Sequence, residues 1–357
     1  MKVSMKIIAD NLSVTKSTVS RALNDDSQIS SEMKRKIKKM AQEMGYKKPK
    51  QNLRRVIGIV VLDAASPFCS QIIRGAEDMA KSSGYNVIVK STDALHQDEV
   101  KVVSDLQEKG VSGIILQPFH LENKHITEMH NNQFPFVLID RRIDEIKCDY
   151  VVSNNFQGAY DLVTYLIKLG CRKIAHVTRY VQCSTAKERL DGYNKALLDN
   201  DIEPCEDLIT VCDDYGEECG RKGMKILLNR GHPFDSVFAV SNVVTAGIIN
   251  YLKDRKPELL NKIMIAEFDS PWGDSYWGIP LPSAIQRTYE MGHVAAEILI
   301  KKIQRGKNVD VKQVTLDTHL VVQIPVENEA EFNLNSRIGR FKISPLYWKQ
   351  YSGEIST

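Results

Sequence analysis

Short polar and basic side chains crowd residues 15–21 of the chain. Their hydroxyl, ammonium and guanidinium groups suit hydrogen bonds to phosphate oxygens and to base edges in the DNA major groove. A capped helix with a solvated polar face has the same composition and is the alternative interpretation. The predicted DNA-contacting side chains of this run are Thr15, Lys16, Ser17, Thr18, Ser20 and Arg21.

A second group of candidate binding residues follows residue 269. Two of the three tryptophans, Trp272 among them, lie in residues 270–277 together with aspartate and serine. Aromatic faces pack on the C–H faces of sugar rings, and polar side chains bond to the ring hydroxyls. The pattern favours a carbohydrate or sugar-derived ligand, and a loop that covers core surface is the alternative.

Motifs of common enzymes are missing from the sequence. The turn after the first predicted strand, residues 63–67, contains no glycine and therefore lacks the dinucleotide-binding fingerprint. The chain has no P-loop, GxSxG or HExxH motif, and its eight histidines include no pair at metal-binding spacing. We therefore predict a protein that is not an enzyme and has no cofactor.

The seven cysteines predict free thiols rather than disulfides or a metal site. Their odd number, without a signal-peptide-like N-terminal run, favours a reducing cytoplasm. Cys205, Cys212 and Cys219 recur every seventh residue, but no CxxC and no nearby pair of histidines accompanies them. No apolar stretch of about 18 residues exists, so no membrane span is predicted.

Charge is distributed unevenly along the 357 residues. Lys and Arg total 48 against 45 Asp and Glu, which gives a formal net charge of +3. Residues 1–55 hold 14 basic and 5 acidic residues, a balance of +9, and the rest of the chain stands at −6. A basic head on a mildly acidic body indicates a nucleic-acid-binding segment joined to a module with another role.

Short helices are needed to position the polar run. Three apolar patterns at helical spacing precede Gly45, a residue suited to a helix C-terminus. Only a tight turn near Ser13 separates the first two, which predicts a helix-turn-helix with the start of its second helix in the major groove. Thr15 is predicted to cap the second helix, and Ser30 or Ser31 the third.

Strands and helices alternate through the rest of the sequence. This alternation predicts two doubly wound lobes, each with a parallel sheet covered on both faces. Ligands of such folds bind at the carboxyl ends of the strands, in the cleft between lobes. The predicted strands span residues 56–62, 85–90, 111–117, 134–139, 173–178, 208–211, 236–240 and 263–268.

Residues 8–24 resemble the head of the LacI/GalR family of bacterial transcription regulators. The run V-T-K-S-T-V-S-R-A-L-N matches the family's V-S-x-x-T-V-S-R-x-L-N, and the register continues to residue 46. The resemblance implies that Lys16 and Ser17 read bases and that Arg21 contacts DNA. It implies phosphate contacts by Thr15, Thr18, Ser20 and Asn24.

Two departures from the family pattern concern the turn and the linker. Ser13 stands where the family prefers glycine, and a non-glycine residue adopts that conformation only at some cost. The linker, residues 47–55, lacks the family's A-R-x-L hinge motif and is about a turn and a half short. It is expected to be a basic tether in which Lys48 holds a phosphate, with Leu53 as a candidate minor-groove wedge.

Much of the body resembles the family's sensor, which is similar to periplasmic sugar-binding proteins. With the head, matching pieces such as R-L-D-G-Y at 189–193 cover nearly all of residues 5–325. The resemblance implies that Phe68 packs on an effector, that Arg189 donates hydrogen bonds to it and that Asp269 accepts them. The predicted effector-binding set is Ser66, Phe68, Gln117, Arg189, Ser241, Asp269 and Trp272.

Alternative roles and further departures attach to these positions. A surface ion pair is the alternative for Arg189, and a cap on the next segment is the alternative for Asp269. The family's Asn-Asp after the strand near residue 240 is replaced by Ser241-Asn242, and Glu267 replaces a glycine. We expect the effector to differ chemically from those of the best-known members.

The sequence thus predicts a small all-α helix-turn-helix domain followed by an α/β, periplasmic-binding-protein-like sensor of two doubly wound parallel-sheet lobes. Within the sensor, lobe 1 is assigned 56–154 with 283–309, and lobe 2 is assigned 155–282 with 310–325. The domain boundaries are 1–46 for the head, 47–55 for the linker, 56–325 for the sensor and 326–357 for a C-terminal extension.

The predicted function is sequence-specific transcriptional regulation in the cytoplasm, in the form of a repressor. Two-fold symmetry of a homodimer requires a near-palindromic double-stranded DNA operator. A small molecule bound between the lobes, expected to be a carbohydrate, would control operator affinity. The alternatives are a solute-binding receptor, opposed by the basic head, and a cleft enzyme, opposed by the missing catalytic motifs.

Overall fold

Two units make up the structure, a computed structural model that describes most of the chain. The first unit lies at the N-terminus, and the second starts at Arg54. The described residues are 5–23, 26, 28–46, 55–93, 95–119, 123–179, 183–212, 216–269, 281–306 and 310–322. Outside them lie Asn24, Lys48, Leu53, Trp272, most of the predicted linker and the predicted C-terminal extension.

The head is built from three helices whose apolar faces meet. Ile8, Val19 and Ile37, one from each helix, are fully buried at their junction. The first two helices are joined by a four-residue turn, so the predicted helix-turn-helix is confirmed. The helices are α1 (Met5–Asn11), α2 (Lys16–Leu23) and α3 (Ser31–Glu43).

Both predicted helix caps are present in the head. The backbone N–H of Thr18 donates to Oγ1 of Thr15 at 3.1 Å, and that of Met33 donates to Oγ of Ser30 at 3.3 Å. Ser13 has a φ of +52°, the left-handed conformation that the family's glycine would adopt without strain. The turn therefore forms with serine, and the left-handed conformation of this residue costs some stability.

Strands and helices alternate through the second unit, as the sequence predicts. The strands are β1 (Val56–Val61), β2 (Asn86–Ser91), β3 (Gly113–Leu116), β4 (Phe136–Ile139), β5 (Tyr150–Ser153), β6 (Ile174–Arg179), β7 (Ile209–Cys212), β8 (Ser236–Ala239), β9 (Met264–Phe268), β10 (Ser283–Ile285), β11 (Gln313–Leu316) and β12 (His319–Val321). The helices are α4 (Pro67–Ser82), α5 (His96–Lys109), α6 (Lys124–Asn131), α7 (Asn155–Lys168), α8 (Ser184–Leu198), α9 (Glu217–Arg230), α10 (Asn242–Arg255) and α11 (Thr288–Arg305).

The described strands form two sheets of six strands, one in each lobe. The first has the order β11-β5-β4-β3-β1-β2, and all its neighbours are parallel. The second has the order β12-β10-β9-β8-β6-β7, and its only antiparallel pair is β10 with β12. Helices α9 and α10 share one apolar core with the second sheet, and α7 and α8 share another. The predicted pair of doubly wound lobes is confirmed.

Two short strands lie in the opposite lobe from the one predicted. Ser283–Ile285, assigned to lobe 1, forms β10 and pairs with β9 in the second sheet. Gln313–Leu316, assigned to lobe 2, forms β11 and pairs with β5 in the first sheet. The chain therefore crosses between lobes after β5, after β10 and after β11. Strands of three or four residues carry too little periodicity to reveal such crossings.

Glycines allow close helix packing within each lobe. A Cβ added to Gly75 of α4 would lie 2.0 Å from the carbonyl oxygen of Tyr289 in α11. In the second lobe, a Cβ on Gly220 of α9 would lie 2.1 Å from the carbonyl oxygen of Val244 in α10. Both distances are far below van der Waals contact, so these helix pairs touch backbone to backbone. None of the described helices is long and apolar enough to cross a membrane.

Candidate effector cleft and DNA-binding head

A cleft of about 130 Å³ opens between the carboxyl ends of the two sheets. This is the position that the parallel-sheet topology predicts for a ligand. The structure brings six of the seven predicted effector residues to its walls, and Trp272 lies outside the described residues. The six are Ser66, Phe68, Gln117, Arg189, Ser241 and Asp269.

In the first lobe, an amide supports a carboxylate at the cleft wall. The backbone N–H of Leu62 donates to Oε1 of Gln117 at 3.0 Å and so fixes the orientation of the amide. Nε2 of Gln117 then donates to Oδ2 of Asp140 at 2.8 Å. Asp140 follows β4 with a φ of +65°, a strained conformation typical of functional positions. Gln117 therefore positions Asp140 rather than presenting a free amide to a ligand.

The second lobe repeats this arrangement with different residues. Gln286, one residue after β10, donates from Nε2 to Oδ2 of Asp269 at 2.6 Å. Asp269 follows β9 and has a φ of +64°. Oε1 of Gln286 is buried and has no hydrogen-bond partner among the described residues, so it is an unsatisfied acceptor. Each lobe thus presents one strained aspartate held by one glutamine.

Burial changes the protonation of the carboxylate in the second lobe. It raises the pKa of Asp269 to about 6, because the charged form loses hydration. The positive charge of Arg189 and the hydrogen bond from Gln286 act in the opposite direction. Asp269 is therefore mostly ionised at neutral pH and able to accept two hydroxyl hydrogens.

Arg189 projects from α8 into the base of the cleft and is only 5% exposed. Its Nε donates to Oδ1 of Asn155 at 2.9 Å, and its Nη1 donates to the carbonyl of Val240 at 2.6 Å. The guanidinium carbon lies 3.6 Å from the centre of the Phe268 ring. Burial lowers the pKa of Arg189, and the carboxylate of Asp269 counteracts that effect. The alternative of an exposed surface ion pair is therefore wrong.

The remaining predicted residues differ in whether their side chains already make contacts within the protein. Oγ of Ser66 accepts from the N–H of Cys69 at 3.2 Å and so caps α4. Ser241 precedes α10, and its hydroxyl makes no capping bond. Phe68 is half-buried and packs against the core of the first lobe. Ser241 and the exposed part of Phe68 are thus open to a ligand, whereas the Ser66 hydroxyl serves the helix.

Four buried polar residues of the cleft are absent from the predicted set: Asp140, Arg141, Thr185 and Gln286. Nη1 of Arg141 donates to the carbonyls of Pro118 at 3.1 Å and Phe119 at 3.3 Å, which holds the side chain against the first lobe. The position of Asp140 and Arg141 directly after an apolar strand was an available signal. Gln286 follows a strand of only three residues, which no periodicity marks.

In the head, the predicted DNA-contacting run lies at the start of α2. Besides its cap, Oγ1 of Thr15 bonds to the hydroxyls of Ser17 at 3.0 Å and Thr18 at 2.9 Å. Lys16 and Ser17 are exposed, and Ser20 is partly exposed. The hydroxyl chain therefore orders the first turn of α2, from which Lys16 extends into solvent.

Basic side chains are present on α2 and α3. Nη1 of Arg21 donates to Oε1 of Gln28 at 3.1 Å, and its Nε lies 3.7 Å from a carboxylate oxygen of Asp26. No DNA-binding role of α3 was predicted from the sequence, although its basic residues line one face. They are Lys34, Arg35, Lys38 and Lys39.

Comparison with known proteins agrees with both parts of the structure. Residues 4–49 match the bacterial regulatory proteins of the lacI family. Residues 54–329 match the periplasmic binding proteins and sugar binding domain of the LacI family. The chain belongs to the LacI family. It is therefore a DNA-binding transcriptional regulator, and its family is one of regulators rather than enzymes.

Individual relatives align with almost the whole of this chain. The HTH-type transcriptional regulator RegA of Clostridium acetobutylicum is 32% identical over 317 residues, which are 86% of this chain and 94% of that protein. The ribose operon repressor of Halalkalibacterium halodurans is 28% identical over 90% of this chain and 96% of its own length. A transcriptional regulator CelR–cellobiose complex shares the fold, with a TM-score of 0.69 over 90% of this chain and 98% of that one, at 24% identity.

Proposed function

We propose that this LacI-family regulator is a cytoplasmic, homodimeric repressor whose operator affinity is set by a sugar bound between its lobes. The repeated aspartate–glutamine pair carries the proposal, together with Arg189, whose charge interacts with both aspartates. Sugars present closely spaced hydroxyls, each of which is both a donor and an acceptor. Two carboxylates at opposite walls and one guanidinium at the base match that pattern.

The cleft also supports a sugar by its size and its aromatic wall. Its volume of about 130 Å³ is well below the roughly 300–1,000 Å³ of sites for drug-sized ligands. Phe68 offers a ring to the C–H face of a sugar, as the aromatic residues of such sites do. Supporting this class, one relative is a ribose operon repressor, and one solved relative holds cellobiose.

Operator recognition is assigned to the head. We assign base reading to Lys16 and Ser17, because they lie at the start of the second helix of the helix-turn-helix. We assign a DNA contact to Arg21, in the last turn of that helix, because the resemblance to the family implies one there. Phosphate contacts are assigned to Thr15, Thr18, Ser20, Asn24 and Lys48, with Leu53 as the minor-groove wedge. Two heads of a homodimer would then read the half-sites of a near-palindromic operator.

Effector binding would act on the operator through lobe closure. A sugar that bridges Asp140 and Asp269 favours the conformation in which these side chains approach each other. Because the described part of the chain crosses between lobes three times, closure moves the ends of the first lobe relative to the second. Coupling of this type is typically worth about 1–3 kcal/mol, or roughly 5–150-fold in operator affinity.

A ligand screen joined to a DNA-binding assay tests the proposal. The full chain is screened with monosaccharides, disaccharides, nucleobases and amino acids for an increase in melting temperature. Each hit is then added to an electrophoretic mobility shift with DNA from upstream of the gene. A sugar that raises the melting temperature and changes the mobility shift supports the proposal. Stabilisation by a nucleobase or amino acid but by no sugar overturns the ligand class.

Replacement of Asp269 by asparagine tests the role of its carboxylate in sugar binding. Asp269→Asn keeps the size of the side chain and removes its charge, so sugar binding should weaken while operator binding without sugar is retained. A variant that binds the sugar as well as the wild type would overturn the assignment of Asp269. If the full chain binds no DNA even at low salt, that result would favour the alternative function of a solute-binding receptor.

A further inference from the structure

Three side chains of metal-binding type meet at the amino-terminal end of the second sheet. Cys205 precedes the 3₁₀ turn Glu206–Leu208, Asp207 lies within it, and His232 follows the end of α9. The sulfur, a carboxylate oxygen and an imidazole nitrogen all lie within 4.8 Å of one another. His232 is remote from Cys205 in sequence, so no CxxC-like spacing reveals the group.

The backbone that carries these three residues is held in place from α9. Nη1 of Arg230 donates to the carbonyls of Glu206 at 3.3 Å, Asp207 at 2.9 Å and Ile209 at 2.8 Å. The next residue, Gly231, has a φ of +72° and ends the helix with a left-handed turn. The donors therefore project from two elements that are already tied together, which lowers the cost of ordering them around an ion.

We propose that Cys205, Asp207 and His232 form a zinc site. Thiolate, carboxylate and imidazole are the three ligand types of protein-bound Zn²⁺, with bonds of about 2.0–2.3 Å. A tetrahedral ion with such bonds sets its ligand atoms about 3.5 Å apart. The 3.0 Å contact between Asp207 Oδ2 and His232 Nε2 and the 4.8 Å limit of the group bracket that spacing.

The exposure of the three ligands allows their side chains to come together around an ion. Asp207 and His232 are exposed, so their side chains have room for the movement of about 1 Å that tetrahedral spacing requires. Cys205 is partly buried and packs against the core of the second lobe, which fixes the sulfur. Water would complete the four-coordinate ion. The charges of a thiolate and a carboxylate balance that of Zn²⁺.

This zinc site is separate from the effector cleft. Strand β6 ends at Arg179, which lines the cleft, whereas β7 begins next to the zinc ligands. These strands are parallel, so the two sites lie at opposite ends of β7, which spans about 10 Å from Ile209 to Cys212. The ion would join the entry of β7 to the end of α9 and so stabilise the second lobe.

Metal titration of the full chain tests the zinc site. The reduced protein, stripped with a chelator, is titrated with Zn²⁺ by calorimetry and with Co²⁺ by absorption spectroscopy. One equivalent of Zn²⁺ should bind, and Co²⁺ should produce the thiolate charge-transfer band of a cysteine ligand. Cys205→Ser should abolish that band, and Asp207→Asn and His232→Gln should each weaken metal binding at least tenfold.

Two matched variants control for the loss of any thiol or imidazole. Cys148→Ser removes a buried thiol in the first lobe, and His130→Gln removes an exposed imidazole on α6. Both should bind Zn²⁺ as the wild type does. Metal binding that survives Cys205→Ser unchanged, or an absence of binding at micromolar Zn²⁺, overturns the proposal. In that event the contact of Asp207 with His232 is an ordinary surface ion pair.

Discussion

His176 makes the stability of the second lobe depend on pH. It lies on β6, fully buried, and its ring stacks on those of Tyr193 and Phe238, with centroid distances of 5.1 and 4.5 Å. Nδ1 donates to the carbonyl of Phe238 at 2.9 Å, and Nε2 has no hydrogen-bond partner among the described residues. Burial lowers the pKa of His176 to about 4; the hydrogen bond to Phe238 opposes this shift, and the nearby charge of Arg189 contributes to it.

The direction of the effect follows from proton binding. The unfolded chain binds a proton on His176 near pH 6.5, whereas the folded chain does so only near pH 4. Stability is therefore fully retained above pH 6.5 and is lost as pH falls from 6.5 toward 4. From pH 8 to pH 5, this one group should remove about 2 kcal/mol from the free energy of unfolding.

Urea unfolding of the full chain and of His176→Phe, at several values between pH 5 and pH 8, measures this contribution. Phenylalanine keeps a ring of similar size in the stack and cannot titrate. Other groups titrate equally in both proteins, so the difference between their unfolding free energies isolates His176. As pH falls from 8 to 5, the free energy of unfolding of the wild type should decrease by about 2 kcal/mol relative to that of the variant.

His130→Gln, which removes an exposed imidazole on α6, serves as the control and should leave the pH dependence unchanged. A wild-type-minus-variant difference that stays constant from pH 8 to pH 5 would refute the reasoning. It would mean that His176 keeps an ordinary pKa despite its burial, because water reaches Nε2.

Three further predictions concern the head and the cleft. Ser13→Gly should raise the free energy of unfolding of the head by about 1 kcal/mol, because glycine adopts the φ of +52° without strain. Urea unfolding monitored by NMR signals of the head measures this change, and an unchanged free energy of unfolding would contradict the prediction. Sugar binding should weaken roughly tenfold from pH 7.5 to pH 5 as Asp269, with its pKa of about 6, becomes protonated. Calorimetry at both pH values measures that loss, and Asp269→Asn should remove the pH dependence. Lys16→Ala should relax operator sequence preference, whereas Lys48→Ala should weaken all DNA about equally and reduce the salt slope by about one. Mobility shifts on operator and scrambled DNA at several salt concentrations distinguish the two, and identical behaviour of both variants would contradict the assigned roles.

The sequence was most informative where a pattern repeats along the chain or where a residue type has one common role next to a helix end. Long strands and helices alternate, so the two lobes and the position of the cleft followed from periodicity alone. The caps by Thr15 and Ser30 depend only on neighbouring residues, and both were predictable. Arg189 was predictable only through the family resemblance, whereas Asp269 also has the local signal of a polar residue directly after an apolar strand.

Features that depend on distant contacts were not predictable from the sequence. The exchange of β10 and β11 between lobes is fixed by pairing across the whole sensor. Gln286 becomes a cleft residue only because β10 pairs beside β9, which brings its amide to Asp269. Gln117 was expected to face a ligand, yet its amide is occupied by Leu62 and Asp140. A local pattern identifies a polar residue at a strand end but does not show what its side chain bonds to.

The glycine contacts within each lobe have a mechanical consequence. Helices that touch backbone to backbone, as α4 does with α11 at Gly75 and α9 with α10 at Gly220, have no side-chain layer along which to slide. Shear within a lobe would force backbone atoms into one another, so each lobe must turn as a stiff body. Among the described residues, bending is then confined to the crossings after β5, β10 and β11, and these few peptide links would behave as the hinge of the regulator.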